Sequence, residues 1–427
     1  MKAKSSPSND PQEFYLLDGR PGDFDGNLKA LLSCVRQGAQ DGLRKMVFAS
    51  DTLRGGDCGS LAGHPLLLEA EAKAIRRFRK ALAKIRHAPE IEFSDEVGTE
   101  DLRSVWPATV TPFGMHPQIV FETQVEGLAR RLESIGCRSV VLGLSGGLDS
   151  SLALLVAAAA FDRLGLDRKG IRLFTMPGFG TTKRTKGNAG LLAEGLGIPL
   201  ETIDITPACR QHFRDIGHDE RVHDIVFENT QARERTQILM DKANQLGGIV
   251  LGTGDMSEIA LGWSTYNGDH MSMFGVNAGV PKTVVRKVCA WWADERSKNE
   301  TAGCPAKAAK ALRDIIATPV SPELLPAKEG KIAQKTEDHV GPYELHDFFL
   351  WKFLVEEKTE SEILADARRA FRGTYDAATI RRWLDVFFRR FFSQAFKRNC
   401  APDGIPVFPV YLSPRGQWVP SDMVRPK

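Results

Sequence analysis

The chain has 427 residues, 42% of them hydrophobic and 26% charged, which is ordinary for a globular protein and leaves room for two units and a sizeable core. A formal net charge of +3 is too small to point to nucleic acid or to a membrane surface. Seven scattered cysteines, at positions 34, 58, 137, 209, 289, 304 and 400, form no CxxC pair, so neither a disulfide framework nor a cysteine zinc site is indicated and reduced thiols are expected.

The first 14 or so residues are polar and are expected to be loose; they lack the apolar core of a signal peptide. From Tyr15 to about Arg86 the pattern is weakly α/β, with an apolar run at Lys45–Ala49 and a helical segment at 66–85. The acidic stretch 90–101 and the proline-bearing stretch 106–117 read as a connection, which sets 1–117 apart from 118–427. No stretch approaches the ~20 apolar residues of a spanning helix, and a cytoplasmic location without a membrane partner is expected.

In the second unit strand-like and helix-like segments alternate. A β-branched run at 139–144 reads as a strand, and 151–164, apolar almost all round, as a helix packed on a sheet. Strand 171–176, helix 188–196, strand 200–205, helix 229–245 and strand 248–252 follow. Strands spaced by helices imply parallel βαβ units, hence an α/β fold: a doubly wound parallel sheet with helices on both faces. Its loops 145–150, 177–182 and 252–255 should then meet on the rim at the strands' carboxyl ends, where ligands bind. The C-terminal third reads as a helical extension. Across 380–396 apolar residues recur at helical spacing, and Arg381, Arg382, Arg389, Arg390, Lys397 and Arg398 form an opposite face that reads as solvated.

The loop Ser145-Gly146-Gly147-Leu148-Asp149-Ser150 carries the chemistry. Backbone N–H groups of a glycine turn at a helix N-terminus make an anion site, and glycines let phosphate oxygens approach. Ser145 and Ser150 offer hydroxyls, and Asp149 can hold a Mg²⁺ that bridges phosphates. The lysine of a Walker A loop is missing, and so is a GxGxxG dinucleotide fingerprint. Downstream, Asp255 and Glu258 sit three apart, so on a helical turn both could face the metal; a solvated helix start is the alternative for Asp255. Trp263 and Tyr266 are either core or a flat aromatic wall for a ring.

The loop resembles that of the PP-loop ATP pyrophosphatases (the adenine nucleotide α-hydrolase-like fold), which cleave ATP between its α- and β-phosphates. A longer series narrows the resemblance: Pro177-Gly178-Phe179, Glu228 to Arg233, Gly252 to Glu258, Leu261 to Asp269, Pro322-Glu323-Leu324, Lys335 to Asp338, Gly341-Pro342-Tyr343-Glu344 and Phe396-Lys397-Arg398. In this order they are similar to the synthetase domain of glutamine-dependent NAD synthetase, from about Phe121 to the C-terminus. The resemblance implies a ligase that forms a C–N bond, amidating deamido-NAD with ATP and ammonia through an adenylated intermediate. It also implies that Gly143, Leu144, Ser145, Gly146, Gly147, Leu148, Asp149, Ser150 and Thr253 bind ATP. Asp149 and Glu258 would hold Mg²⁺ and, with Ser145, act in catalysis. Asn229, Glu258, Trp263, Ser264, Thr265, Tyr266 and Lys397 would contact deamido-NAD. The alternatives are another PP-loop ligase, such as a tRNA-modifying enzyme, and an inactive nucleotide-binding homologue. No zinc or CxxC site and no RNA-binding appendage supports the first, the basic face of 381–398 being read as solvated, and the intact loop, Thr253, Glu258 and Lys397 weigh against the second.

Members of that family carry an N-terminal nitrilase-like domain whose Glu, Lys and Cys free ammonia from glutamine. Segments 27–32, 47–50, 58–61 and 65–70 resemble its opening, yet Ala49-Ser50 stand where the motif has Pro-Glu, and neither the lysine nor the nucleophile's setting is found; Cys34 and Cys58 read as structural. Residues 1–117 are therefore expected to be a small truncated α/β remnant without glutaminase activity. Ammonia would come from solution or from a separate amidotransferase, and the family resemblance implies a homo-oligomer.

Overall fold

The computed structural model describes residues 113–412, apart from 114, 116, 182, 300–302 and 319–339, together with short segments between 12 and 94. The segments 58–61, 65–70, 322–324 and 335–338 used in the sequence comparison lie outside the described residues. The chain divides into two compact units, one of residues 1–110 with 114–119 and one of 111–113 with 120–427.

In the first unit three short strands, β1 (Gln12–Tyr15), β2 (Lys45–Ala49) and β3 (Glu90–Ser94), pair in parallel in that order, with Phe14 beside Val47 and Val47 beside Glu92. The apolar run 45–49 is β2. Two expectations are corrected: β1 begins inside the stretch read as loose, and β3 inside the stretch read as a connection. Glu90-Ile91-Glu92-Phe93 alternates polar and apolar residues with the period of a strand, and its acids hid that signal. Helical residues at 28, 31 and 35 bury Leu28, Leu31 and Val35, and Phe78 is buried within the segment expected to be helical.

Helix α1 (Pro117–Ser134) lies in the second unit from Val120 onward, and that unit then builds a sheet from β4 (Val140–Gly143), β5 (Ile171–Thr175), β6 (Leu200–Thr202), β7 (Ile249–Gly252) and β8 (Phe274–Gly275). All pairings are parallel and the order is β6-β5-β4-β7-β8. The chain thus moves outward from β4 to β6, then returns to the other side of β4. Right-handed crossovers put the two sets of connecting helices on opposite faces, so the sheet is doubly wound as expected. The reversal falls between β4 and β7, which leaves a crevice beyond their carboxyl ends.

Helix α2 (Leu148–Arg163) follows β4 and buries twelve of its side chains, Leu152 to Ala158 among them, which explains its all-round apolar sequence. Helices α3 (Lys183–Gly195) and α5 (Ile225–Leu246) start about a turn before their apolar periodicity does; Asp224 caps α5 by accepting the N–H groups of Val226 and Phe227. Helix α4 (Thr206–Ile216) and the two-residue β8 were not foreseen, because α4 buries only Cys209 and Phe213 and β8 is too short to show a period. Beyond β8, Gly275 exchanges hydrogen bonds with Asp403 and Ile405, which covers that sheet edge.

The short helix α6 (Met256–Leu261) leaves β7, and helices α7 (Lys282–Asp294), α8 (Pro305–Ile316), α9 (Tyr343–Leu354), α10 (Glu360–Ala370), α11 (Ala377–Ser393) and α12 (Ala395–Asn399) form the helical extension. The stripe across 380–396 is not one helix: α11 ends at Ser393 and Gln394 serves both its end and the start of α12. Ile380, Trp383, Leu384, Phe387 and Phe391 are core, whereas Phe396 is exposed. The basic face is also not uniformly solvated. Arg381 pairs with Glu360 and Asp385 at the surface, but Arg398 is buried and donates to Ala260 O and Phe391 O. Cys137, Cys209, Cys289, Cys304 and Cys400 are free thiols, and no helix among the described residues is long and apolar enough to cross a membrane.

Candidate active site

The glycine loop sits at the crevice. Leu144 donates its N–H to Phe174 O on β5, fixing the point at which the chain leaves the sheet. Gly146 then takes φ +84°, a left-handed conformation that glycine adopts without a Cβ penalty. Ser145 Oγ accepts the Gly147 N–H at 3.1 Å and lies 3.1 Å from Ser150 Oγ; Ser150 and Ser151 hydroxyls donate to Gly147 O. No side chain caps α2 at Gly147, so its first-turn N–H groups are available to an external acceptor. Asn277, fully buried, donates to Asp149 O and Thr253 O and so ties the β4 and β7 loops together. Residues 177–181 follow β5 on the same rim, where Gly178 N–H donates to Thr181 Oγ1 and Phe179 N–H to Gln231 Oε1.

Facing the loop, Asp255 and Glu258 form a capping box at the start of α6: the Glu258 N–H donates to Asp255 Oδ1 and the Asp255 N–H to Glu258 Oε2. Asp255 is not a solvated helix start, since its side chain is 0% exposed. Lys282, the first residue of α7, places its ammonium 2.7 Å from Asp149 Oδ2, 2.8 Å from Asp255 Oδ2 and 2.8 Å from Glu258 Oε1. Burial raises the Asp255 pKa well above the usual carboxylate range, and Lys282 opposes the rise. Burial likewise lifts Glu258 to about 7, again against Lys282. Burial works to depress the Lys282 pKa, but the three carboxylates outweigh it and hold it well above its ordinary value. One oxygen from each of Asp149, Asp255 and Glu258 lies within 4.8 Å of the others, and the buried Asp149 Oδ1 has no hydrogen-bond partner. Three hard oxygen donors with one unused suit a small divalent cation such as Mg²⁺.

The remaining sequence-predicted residues gather at the other end of α6. Gly262 ends that helix at φ +56°, and a Cβ there would collide with the Gln394 side chain. Lys397 Nζ donates to Gly262 O at 2.8 Å and Ser264 O at 2.6 Å, while Arg390 donates to Leu261 O and lies over the Trp263 ring. With Arg398 on Ala260 O, three cations meet the negative end of the helix dipole. Thr265 Oγ1 donates to Asn229 Oδ1 at 2.8 Å, which joins α5 to this loop. Trp263 is half-buried; Tyr266 is 38% exposed, stacked with His270 and leaning on Phe396, so Tyr266 is surface and not core. The two groups are thus separated by the length of α6, about 9 Å at 1.5 Å per residue.

The family model for NAD synthase matches residues 120–377. The chain belongs to the NAD synthase family. The glutamine-dependent NAD(+) synthetase of Mycobacterium tuberculosis is 43% identical over 327 residues, 71% of this chain and 47% of that protein. That of Thermotoga maritima is 31% identical over 258 residues, 60% of this chain and 41% of that protein. This chain therefore spans about half the length of the curated relatives it matches. A solved glutamine-dependent NAD(+) synthetase from Cytophaga hutchinsonii shares the fold, with a TM-score of 0.57 over 97% of both chains at 13% identity.

Two residues of the candidate site in this NAD synthase family chain were not foreseen from the sequence, Lys282 and Asn277. Both lie in Val276-Asn277-Ala278-Gly279-Val280-Pro281-Lys282, more than a hundred residues from the glycine loop. The one local signal was Pro281, which caps α7 and so marks Lys282 as its first residue.

Proposed function

We propose that this chain amidates deamido-NAD to NAD, using ATP to activate the carboxylate and ammonia to displace AMP. The observation that carries the proposal is the junction at the β4/β7 crevice. An uncapped glycine turn there meets Asp149, Asp255, Glu258 and Lys282, in a chain of the NAD synthase family.

A nicotinate carboxylate is a poor electrophile until one oxygen becomes a good leaving group. In the first step that oxygen attacks the α-phosphorus of ATP, a P–O bond forms, and the bond to the pyrophosphate oxygen breaks. In the second, the ammonia nitrogen attacks the acyl carbon, a proton leaves the nitrogen, and the C–O bond to AMP breaks. The α2 N–H groups, Gly146, Gly147 and the Ser145 and Ser150 hydroxyls bind phosphate oxygens, and Lys282 supplies a positive charge beside them. A Mg²⁺ ion held by Asp149 and Glu258, with Asp255 beside them, would neutralise charge on the departing pyrophosphate. Lys397 fixes the carbonyls of Gly262 and Ser264, which sets Trp263, Ser264, Thr265 and Tyr266 as the wall for the nicotinate end; Asn229 holds that wall through Thr265. No protein nucleophile takes part in either step.

The proposal includes ammonia, from solution or a separate amidotransferase, as the nitrogen source in place of glutamine cleaved by residues 1–117. Its support is Ala49-Ser50 at the Pro-Glu position of the resembling domain. Purified protein is incubated with ATP, Mg²⁺ and deamido-NAD, with ammonium or glutamine as the nitrogen donor. NAD, AMP and pyrophosphate are expected with ammonium. A comparable rate with glutamine overturns the nitrogen-source claim, and no NAD with ammonium overturns the whole proposal.

A further inference from the structure

The four side chains at the crevice come from three different helix starts. Asp149 lies in the first turn of α2, Asp255 and Glu258 at the start of α6, and Lys282 is the first residue of α7. One buried carboxylate outside this group touches two of those starts. Asp347, on α9, is 0% exposed. Its Oδ1 accepts from Ser257 Oγ at 2.5 Å, and its Oδ2 accepts from Thr283 N at 3.0 Å and Thr283 Oγ1 at 2.6 Å. Ser257 Oγ in turn accepts the Lys282 N–H at 2.8 Å.

Those contacts fall on particular residues. Ser257 stands between Asp255 and Glu258 in sequence, and Thr283 follows Lys282. The N–H groups of residues 282 and 283 are first-turn donors without intrahelical acceptors, and here both end on the Ser257–Asp347 pair. A carboxylate in this place is costly to bury: burial lifts its pKa to about 6 even with three donors pulling it down. An apolar side chain would fill the space without that cost but would not tie α6 to α7. The same helix presents a second side chain to the group. Tyr343, one turn before Asp347, lies with its ring 5.4 Å from Lys282 Nζ.

We propose that Asp347 is a positioning residue: through Ser257 and Thr283 it holds the starts of α6 and α7 in register, so that Asp255, Glu258 and Lys282 converge on Asp149. The proposal rests on the reading of that group as the nucleotide and metal site. Asp347 touches no substrate; it acts through the residues it fixes.

The test uses the full chain with Asp347→Asn and with Ser257→Ala, which removes one donor to Asp347 and the acceptor of the Lys282 N–H. For each, the kcat per folded molecule, the KM for deamido-NAD and the Mg²⁺ concentration at half-maximal rate are measured beside thermal melts. Asp347→Asn is expected to lower kcat and weaken Mg²⁺ dependence by roughly 10- to 100-fold, the range found when a residue behind a metal ligand is removed. KM for deamido-NAD is expected to change far less than the Mg²⁺ midpoint, because apart from Glu258 the side chains assigned to that substrate lie at the far end of α6. A lower melting temperature with wild-type kcat and Mg²⁺ midpoint overturns the proposal. If Asp347→Asn does not fold, Ser257→Ala decides the matter, and wild-type values of both quantities in that variant overturn it. If the wild-type protein makes no NAD, the functional reading fails by itself. Calorimetry of ATP binding in Mg²⁺ then tests Asp347 alone, and equal affinities in wild type and variant refute its role.

Discussion

Lys282→Met takes away the ammonium that three carboxylates share while keeping a side chain of similar length. Its contacts are 2.7, 2.8 and 2.8 Å long, with 4% of the lysine side chain exposed. Removing one partner of a buried ion pair costs about 3–5 kcal/mol, because the remaining charge is left uncompensated. Asp149 and Glu258 keep 20% and 22% of their side chains exposed, so water screens part of that charge, and Asp255 at 0% bears most of the loss. The lower end, about 3 kcal/mol, is the reasonable figure. For a chain of this size that is a fall in Tm of roughly 5 °C. The effect depends on pH with a definite sign. Glu258 titrates near 7 in the folded protein, above its ordinary value of 4.5. The stability that goes with its protonated form is present below about 4.5 and is lost as pH rises through about 7. The variant's deficit should therefore be larger at pH 8 than at pH 6. Melts in EDTA at the two pH values, then in millimolar Mg²⁺, measure it, and Mg²⁺ should raise the variant's Tm more than that of wild type, since the ion takes the place of the missing charge. A Lys282→Met protein that melts within about 1 °C of wild type at pH 8 in EDTA would refute the reasoning.

Asp149→Asn leaves Lys282 with Asp255 and Glu258 as partners, so it should lower Tm by less than Lys282→Met does, while pyrophosphate release falls about 100-fold or more, read by a coupled phosphate assay. Gly262→Ala puts a Cβ on a residue at φ +56° and drives it into Gln394. The cost expected from strain and overpacking is about 2–4 kcal/mol, visible in the urea midpoint. Lys397→Met frees the carbonyls of Gly262 and Ser264. KM for deamido-NAD should rise about tenfold with KM for ATP unchanged, and an equal rise in both would show that Lys397 acts on the fold at large.

Strands β4, β5 and β7 were legible because each is rich in β-branched or aliphatic residues and bounded by loops, and their alternation with helices sufficed to place the glycine loop at the switch point; the strand expected over 200–205 ends at Thr202. What was hidden depended on long-range partners. Lys282 opens a helix whose periodicity says only that one face is buried; that its ammonium meets Asp149, 133 residues earlier, is a property of the sheet order. Asp255 was ambiguous for the same reason, since a capping box forms equally well in water or in a core. In the first unit, glutamates on alternate positions of β3 outweighed Ile91 and Phe93 and disguised a strand. The break at Gln394 lies within a continuous apolar stripe, because the stripe turns from core contacts at Phe391 to the Tyr266 ring at Phe396.

Helix α6 has an acid-bearing start and a cation-bearing end, and its six residues are too few to bend. It therefore works as a ruler. Each α-helical residue adds about 1.5 Å of length and about 100° of rotation. One inserted residue would leave the capping box and the Lys397 clamp individually able to form while turning them to different sides of the crevice. Point substitutions in this segment are tolerated or not according to their own contacts, but its length admits no change, so length variation among functional relatives should be absent between Asp255 and Gly262 even where the amino acids differ.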